Sequence, residues 1–273
     1  MRNVRWSVLV ELGKKAGCLC DLAERGTVHC PLNVRETSED VVTGELFGKL
    51  QLIDPRWWLP DFLNRSLGTN EYRQQIYRNL EIKLWSRQPT FPPELLPWRE
   101  GNTEVDVEIR WENPATTIFI EMKLGSDVSR TTSRTNGAEA FPSDQLIRNL
   151  RVGLHQAGWF REGELFHGER RRFGLILLAP KLGHPLVDLY RDRTRLIQSI
   201  PSGSELIELP EGPVIGASNY LGITEILEKN ARFMTGAERR ISCQIGEYLE
   251  LKTKQIRSKR PRSIQKPQSL PLA

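Results

Sequence analysis

No stretch of this 273-residue chain stays apolar for long. The longest run, residues 173–180, is far below the roughly 20 residues that cross a bilayer, so neither a transmembrane helix nor a membrane partner is expected. Residues 1–11 lack an unbroken apolar stretch and a small-residue cleavage site. They do not read as a signal peptide, which makes the cytoplasm the expected location. Cysteine is scarce too: four residues are too few for a disulfide framework. Cys18, Cys20, His29 and Cys30 form the one cluster with a metal flavour. Its Cys-x-Cys and His-Cys spacing lacks the about two to four intervening residues of a zinc site, so these read as ordinary thiols. Internal repeats are missing as well. With 38% hydrophobic residues and a mean hydropathy of -0.44, collagen-like, coiled-coil and disordered classes are excluded. The length fits one elaborated domain or two small ones.

Acidic residues are absent from Lys252 onward, where seven basic residues fall (Lys252, Lys254, Arg257, Lys259, Arg260, Arg262 and Lys266). Of the 39 Lys+Arg and 34 Asp+Glu, the rest of the chain therefore keeps 32 basic against 34 acidic residues. The net charge of +5 and the pI of 9.1 belong to the end of the chain, not to its body. That Pro-, Ser- and Lys/Arg-rich end has too few large apolar residues to offset its ordering entropy, and is expected to be flexible beyond about Arg257. It either attracts a phosphate backbone or serves only to keep the chain soluble.

Within the body, residues 6–15 fit a helix or a strand equally well. Residues 37–50 predict an amphipathic helix: Ser38 is a cap, Glu39 and Asp40 stand in the first turn, and Val42, Leu46, Phe47 and Leu50 recur at helical spacing. Residues 56–62 predict an aromatic loop, 70–88 a second helical stretch, and 89–97, with its prolines, an extended connector. From 104 to 111 the chain alternates strictly, with Val105, Val107 and Ile109 on one side and Glu104, Asp106, Glu108 and Arg110 on the other. A turn at 112–115 leads to a strand over 116–124, so the two predict a β-hairpin. A mobile polar loop over 129–137, a helix over 143–158 capped by Ser143, and a buried strand over 173–179 follow. Beyond them, helices are expected over 185–200, 219–230 and 237–254, and a strand over 205–209. The order predicts an α/β protein around one central sheet.

Glu121 and Lys123 lie two residues apart on the second hairpin strand and so share a face, while Ile120, Met122 and Leu124 take the other. Antiparallel pairing brings Asp106 beside Glu121. Two facing carboxylates repel unless a cation lies between them, and hard oxygens suit Mg²⁺ or Mn²⁺. A metal there lowers the pKa of its bound water and stabilises developing phosphoryl charge. Lys123 beside it can orient that water or neutralise the phosphate. Metal-assisted phosphodiester hydrolysis is the chemistry this set suits. A bare Glu-x-Lys is common, and by itself denotes only a solvated hairpin face.

The order of its companions is more specific. An acidic helix with Glu39, then Asp106 in Thr-Glu-Val-Asp-Val, then Glu121 and Lys123 in Ile-Phe-Ile-Glu-Met-Lys-Leu, then a helix opening with Gln145, resembles the PD-(D/E)XK nuclease superfamily. The resemblance spans roughly residues 35–180. It implies a restriction-endonuclease-like central mixed sheet flanked by helices, Mg²⁺ (or Mn²⁺) as cofactor, and DNA as substrate, with RNA an open alternative. It further implies that Asp106, Glu121 and the Met122 carbonyl bind metal, that Glu39 is the leading-helix glutamate at the metal, that Lys123 assists catalysis, and that Gln145 is the polar residue of the following helix. The first motif here is Val-Asp where the family has Pro-Asp. Glu45 competes with Glu39, and Glu104 and Glu108 compete with Asp106. The expected organisation is an N-terminal extension at 1–34, the nuclease-like core at 35–180, a C-terminal α/β portion at 181–254 and a disordered basic tail at 255–273. A DNA nuclease of bacterial defence or repair, working as a homodimer or with a defence partner protein, is the leading expectation. A catalytically inactive nucleic-acid-binding or assembly module on the same fold is the alternative.

Overall fold

The computed structural model describes residues 39–89, 93–98, 100–128, 141–161, 170–201 and 203–258. The cysteine-histidine cluster, the Ser38 cap, the 129–137 loop and the tail beyond Ser258 lie outside these residues.

Helix α1 (Glu39–Leu50) buries Val42, Leu46, Phe47 and Leu50, and its first-turn acids face the positive end of the helix dipole. The expected aromatic loop is instead a short 3₁₀ turn, Pro55–Trp57, running into α2 (Leu59–Leu67). Pro60 is tolerated there because the first turn has no carbonyl behind it to lose. Gly68 ends α2 at φ 72°, a left-handed cap that a residue with a Cβ adopts only with strain.

Residues 70–88 are not a helix. A 3₁₀ turn (Glu71–Gln74) precedes strand β1 (Arg78–Gln88), whose Leu80, Ile82 and Leu84 pack on the core. Next come the expected hairpin, β2 (Thr103–Glu112) and β3 (Thr116–Met122), and then α3 (Gln145–Gln156) and β4 (Arg172–Ala179). Asp144, not Ser143, caps α3: its carboxylate accepts from the Leu146 and Ile147 amides, both at 3.0 Å. The single helix expected over 185–200 is two, α4 (Pro185–Arg191) and α5 (Arg193–Ser199). Asp192 stands between them in extended backbone and caps the second. No strand forms at 205–209, where Leu206 makes only an isolated bridge to Phe160. The last strand is β5 (Ile215–Asn219), followed by α6 (Tyr220–Asn230) and α7 (Gly236–Ser258).

The five strands form one sheet in sequential order, with β1, β2 and β3 antiparallel and β3, β4 and β5 parallel. The molecule is thus α/β, a mixed sheet with helices on both faces. On one face α1, α2, α6 and α7 close over Val107, Ile109, Ile118, Ile120, Met122, Ile176 and Leu178. On the other, α3, α4 and α5 close over Val105, Phe119, Leu175, Leu177 and Ile215. Val105 therefore does not share a face with Val107 and Ile109. The alternation breaks at Asp106, and Trp85, which stands between the β1 residues paired with Val107 and Val105, adopts φ 49°. The pairing register runs unbroken through this point, so the left-handed residue marks a local kink of the strand; the one register shift between β1 and β2 lies at Arg78/Glu81. No helix among the described residues is long and apolar enough to cross a membrane.

Candidate active site

The pairing of β2 with β3 stops at Val107 and Ile120. One step further the Asp106 carboxylate, rather than a main-chain carbonyl, accepts the Met122 amide at 2.7 Å. Asp106 thereby sits in the opening between two diverging strands. In a strand the N–H and C=O of one residue point to the same neighbour, so the Met122 carbonyl lies toward that opening too.

Glu121 is completely buried on the α3 side. One of its oxygens accepts from the Lys123 ammonium at 2.8 Å and the other from Asn149 Nδ2 at 3.0 Å. Asn149, itself fully buried, is held in turn by the Thr103 hydroxyl, which donates to its Oδ1 at 3.3 Å. Lys123 also reaches Glu39 Oε2 at 3.2 Å. The other oxygen of Glu39 accepts the Leu124 amide at 3.1 Å and the Ser126 hydroxyl. Behind the cluster, the Tyr220 hydroxyl at the start of α6 donates to the Lys123 carbonyl at 2.7 Å.

Three carboxylates thus surround one ammonium, a formal excess of two negative charges in a largely water-free setting. Burial works to depress the Lys123 pKa, but Glu121, Glu39 and Asp106 outweigh it and hold the amine above its ordinary value. Burial drives the Glu121 carboxyl above the carboxylate range, against the pull of Lys123 and Asn149 and with Glu39 adding to the rise. The two directions have different origins: neighbouring carboxylates raise the lysine against its burial, whereas burial itself raises the carboxyl.

The structure brings Asp106, Glu121, Lys123 and Glu39 together. Glu45 is instead paired with Lys49 at 2.7 Å, one turn along α1. Glu108 faces Ser86, Gln88 and Arg110, and so belongs to a separate cluster on β1 and β2. Gln145 opens α3 but makes no hydrogen bond to these groups; the residue of α3 that does is Asn149, one turn on. Helical spacing from Gln145 puts Asn149 on the same face and was the available signal for it. Tyr220 carried no comparable signal, since it is distant in sequence.

Among the described residues no three His, Cys, Asp or Glu side chains gather into a ready-made metal centre. The donor chemistry nonetheless suits Mg²⁺. Two carboxylates, Asp106 and Glu121, with the Met122 carbonyl are hard oxygens, and Mg²⁺ keeps several waters rather than demanding an all-protein cage. Comparisons with family models, curated proteins and solved structures give no match to this chain.

Proposed function

We propose that this chain is a Mg²⁺- or Mn²⁺-dependent nuclease of the restriction-endonuclease-like class, hydrolysing phosphodiester bonds of DNA. The observation that carries the reading is the convergence of Asp106, Glu121, Glu39 and Lys123 at the mouth between β2 and β3, with more negative charge than one lysine balances. Two helices, three antiparallel strands, a third helix and a parallel strand, in that order, support the same class. A divalent ion held by Asp106, Glu121 and the Met122 carbonyl would supply an activated water and a counter-charge for the phosphate. The protein's own groups divide the remaining work. Asn149 and Thr103 fix the Glu121 carboxylate. Glu121 and Glu39 together keep Lys123 charged and hold its ammonium, which in this reading holds the attacking water or neutralises the scissile phosphate.

A second reading has an observation of its own. Lys123 already bridges Glu39 and Glu121, which is the arrangement of a metal-free scaffold serving as a nucleic-acid-binding or assembly module. Calorimetric Mn²⁺ titration beside a plasmid-nicking assay separates the two. The nuclease reading expects Lys123→Ala to lose cleavage and keep Mn²⁺ binding, because both anionic ligands remain, and Asp106→Ala to lose both. It also expects saturating Mn²⁺ to stabilise the unaltered protein, by about 2.7 kcal/mol at a hundredfold excess over Kd. Cleavage surviving in Asp106→Ala would remove the site. No Mn²⁺ binding by the unaltered protein would leave the module. Matched RNA substrates in the same assay test the choice of DNA.

A further inference from the structure

Where the 3₁₀ turn before α2 meets the 3₁₀ turn after α6 (Ala231–Phe233), four side chains stand together on the surface. The Trp57 and Phe233 rings lie nearly parallel, 16° apart with centroids at 5.5 Å. The Arg56 guanidinium covers Trp57 at 5.3 Å and that of Arg232 covers Phe233 at 4.6 Å. The adjoining indole of Trp58 is core, 1% exposed, whereas Phe233 is 51% exposed. Trp57 is half-buried against the core, so burial accounts for both tryptophans and leaves Phe233 as the exposed ring of the pair. The position is also held rigidly: Asn230 Nδ2 donates to the Trp57 carbonyl at 2.9 Å and to the Ile226 carbonyl at 3.1 Å.

The surrounding charge is net positive, with Arg56, Arg73, Lys229, Arg232, Arg239 and Arg240 set against the carboxylates of Asp54, Asp61 and Glu238. Arg56 is paired with Asp54 at 2.6 Å and Lys229 with Asp61 at 3.0 Å. The Glu238 carboxylate is occupied by the Asp54 and Thr235 amides, which hold its pKa below the usual range. Exposed Arg232, Arg239 and Arg240 make no ion pair with any described residue. Exposed guanidinium planes backed by aromatic rings, with a net positive charge around them, match a polyanion whose flat groups are free to stack. A single-stranded nucleic acid offers both, while a duplex hides its base faces within its own stack.

We infer that the Arg56, Trp57, Phe233 and Arg232 stack is a docking platform for unpaired bases of a nucleic-acid strand. The inference extends the nuclease reading by giving its substrate an unpaired segment. It is tested in EDTA, without cleavage, so that the two fail separately. Fluorescence titration with oligothymidylates of increasing length, and with duplexes of matched charge, should show tryptophan quenching and preference for the single strand. Phe233→Ala, at an exposed position, should keep its melting temperature and bind the single strand about tenfold more weakly, while Phe233→Tyr retains binding. Equal affinity for both forms, or unchanged binding by Phe233→Ala, would overturn the platform without touching the cleavage assay. A dimer in sedimentation that Phe233→Ala dissociates would assign the patch to a second copy of this chain and overturn it too.

Discussion

Glu121 is where the site's electrostatics and the fold's stability oppose each other. Its pKa is raised in the folded protein, so between the ordinary carboxylate value and the raised one the native state holds a proton that the unfolded chain has released. Stability accordingly falls as pH climbs through that window. Glu121→Gln keeps the shape and one acceptor oxygen, which serves Lys123 or Asn149 but not both, and it removes the penalised charge, while Lys123 retains Glu39. Urea denaturation across the acidic range should show the metal-free variant about 1 kcal/mol more stable near neutrality, with a flatter pH dependence, and with no further stabilisation by Mn²⁺. A variant less stable than the parent at neutral pH would mean that the Lys123 bridge outweighs the burial cost. Much of this cluster was legible residue by residue: strand period placed Glu121 and Lys123 together, and pairing placed Asp106 near them. Asn149 and Tyr220 were not, because their roles depend on which helix faces which strand end, and that is fixed by packing rather than by local pattern.

At the scale of elements, legibility followed how far local preference agreed with the final environment. The hairpin was plain because β2 and β3 carry alternation and β-branched residues in a tight pair. The strand β1 has the same alternation in Leu80, Ile82 and Leu84, but Tyr72, Ile76, Leu80 and Leu84 also recur every fourth residue, and the helical period competes with it. The strand β5 was hidden more thoroughly, since Ile-Gly-Ala-Ser-Asn has little strand propensity. Its extended form is selected by the space available. A Cβ at Gly216 would lie 2.0 Å from the Ser66 carbonyl oxygen at the end of α2, a backbone atom that no rotamer change can move away. Small residues are what let α2 close onto β5. Gly216→Ala should therefore destabilise the protein by about 1–3 kcal/mol through a forced backbone shift, although alanine is the better residue in most strands. Equilibrium denaturation checks it, and an unchanged midpoint would mean that α2 is free to move.

For the molecule as a whole, the parallel strands β3, β4 and β5 end on the same side, and Lys123, the start of α6 and the loop after β4 meet there. Ligands of open α/β sheets sit beyond the carboxyl ends of the strands, so the candidate site lies where the topology leaves room for one. The net charge of the chain enters at this scale, since long-range attraction of a polyanion depends on total charge more than on any single contact. Residues 259–273 hold Lys259, Arg260, Arg262 and Lys266 and no acid, so cutting after Ser258 lowers the formal charge from +5 to +1. The cut leaves α7 whole, including Lys252, whose ammonium packs over the Tyr248 ring at 5.5 Å. If the removed residues meet phosphates, the truncated protein should melt at the parent's temperature and bind duplex DNA more weakly. The slope of log affinity against log salt should shrink by about 0.9 for each phosphate no longer neutralised. A slope equal to the parent's would return those four charges to solubility alone, and would leave Arg232, Arg239, Arg240 and the site itself as the chain's means of holding a phosphate backbone.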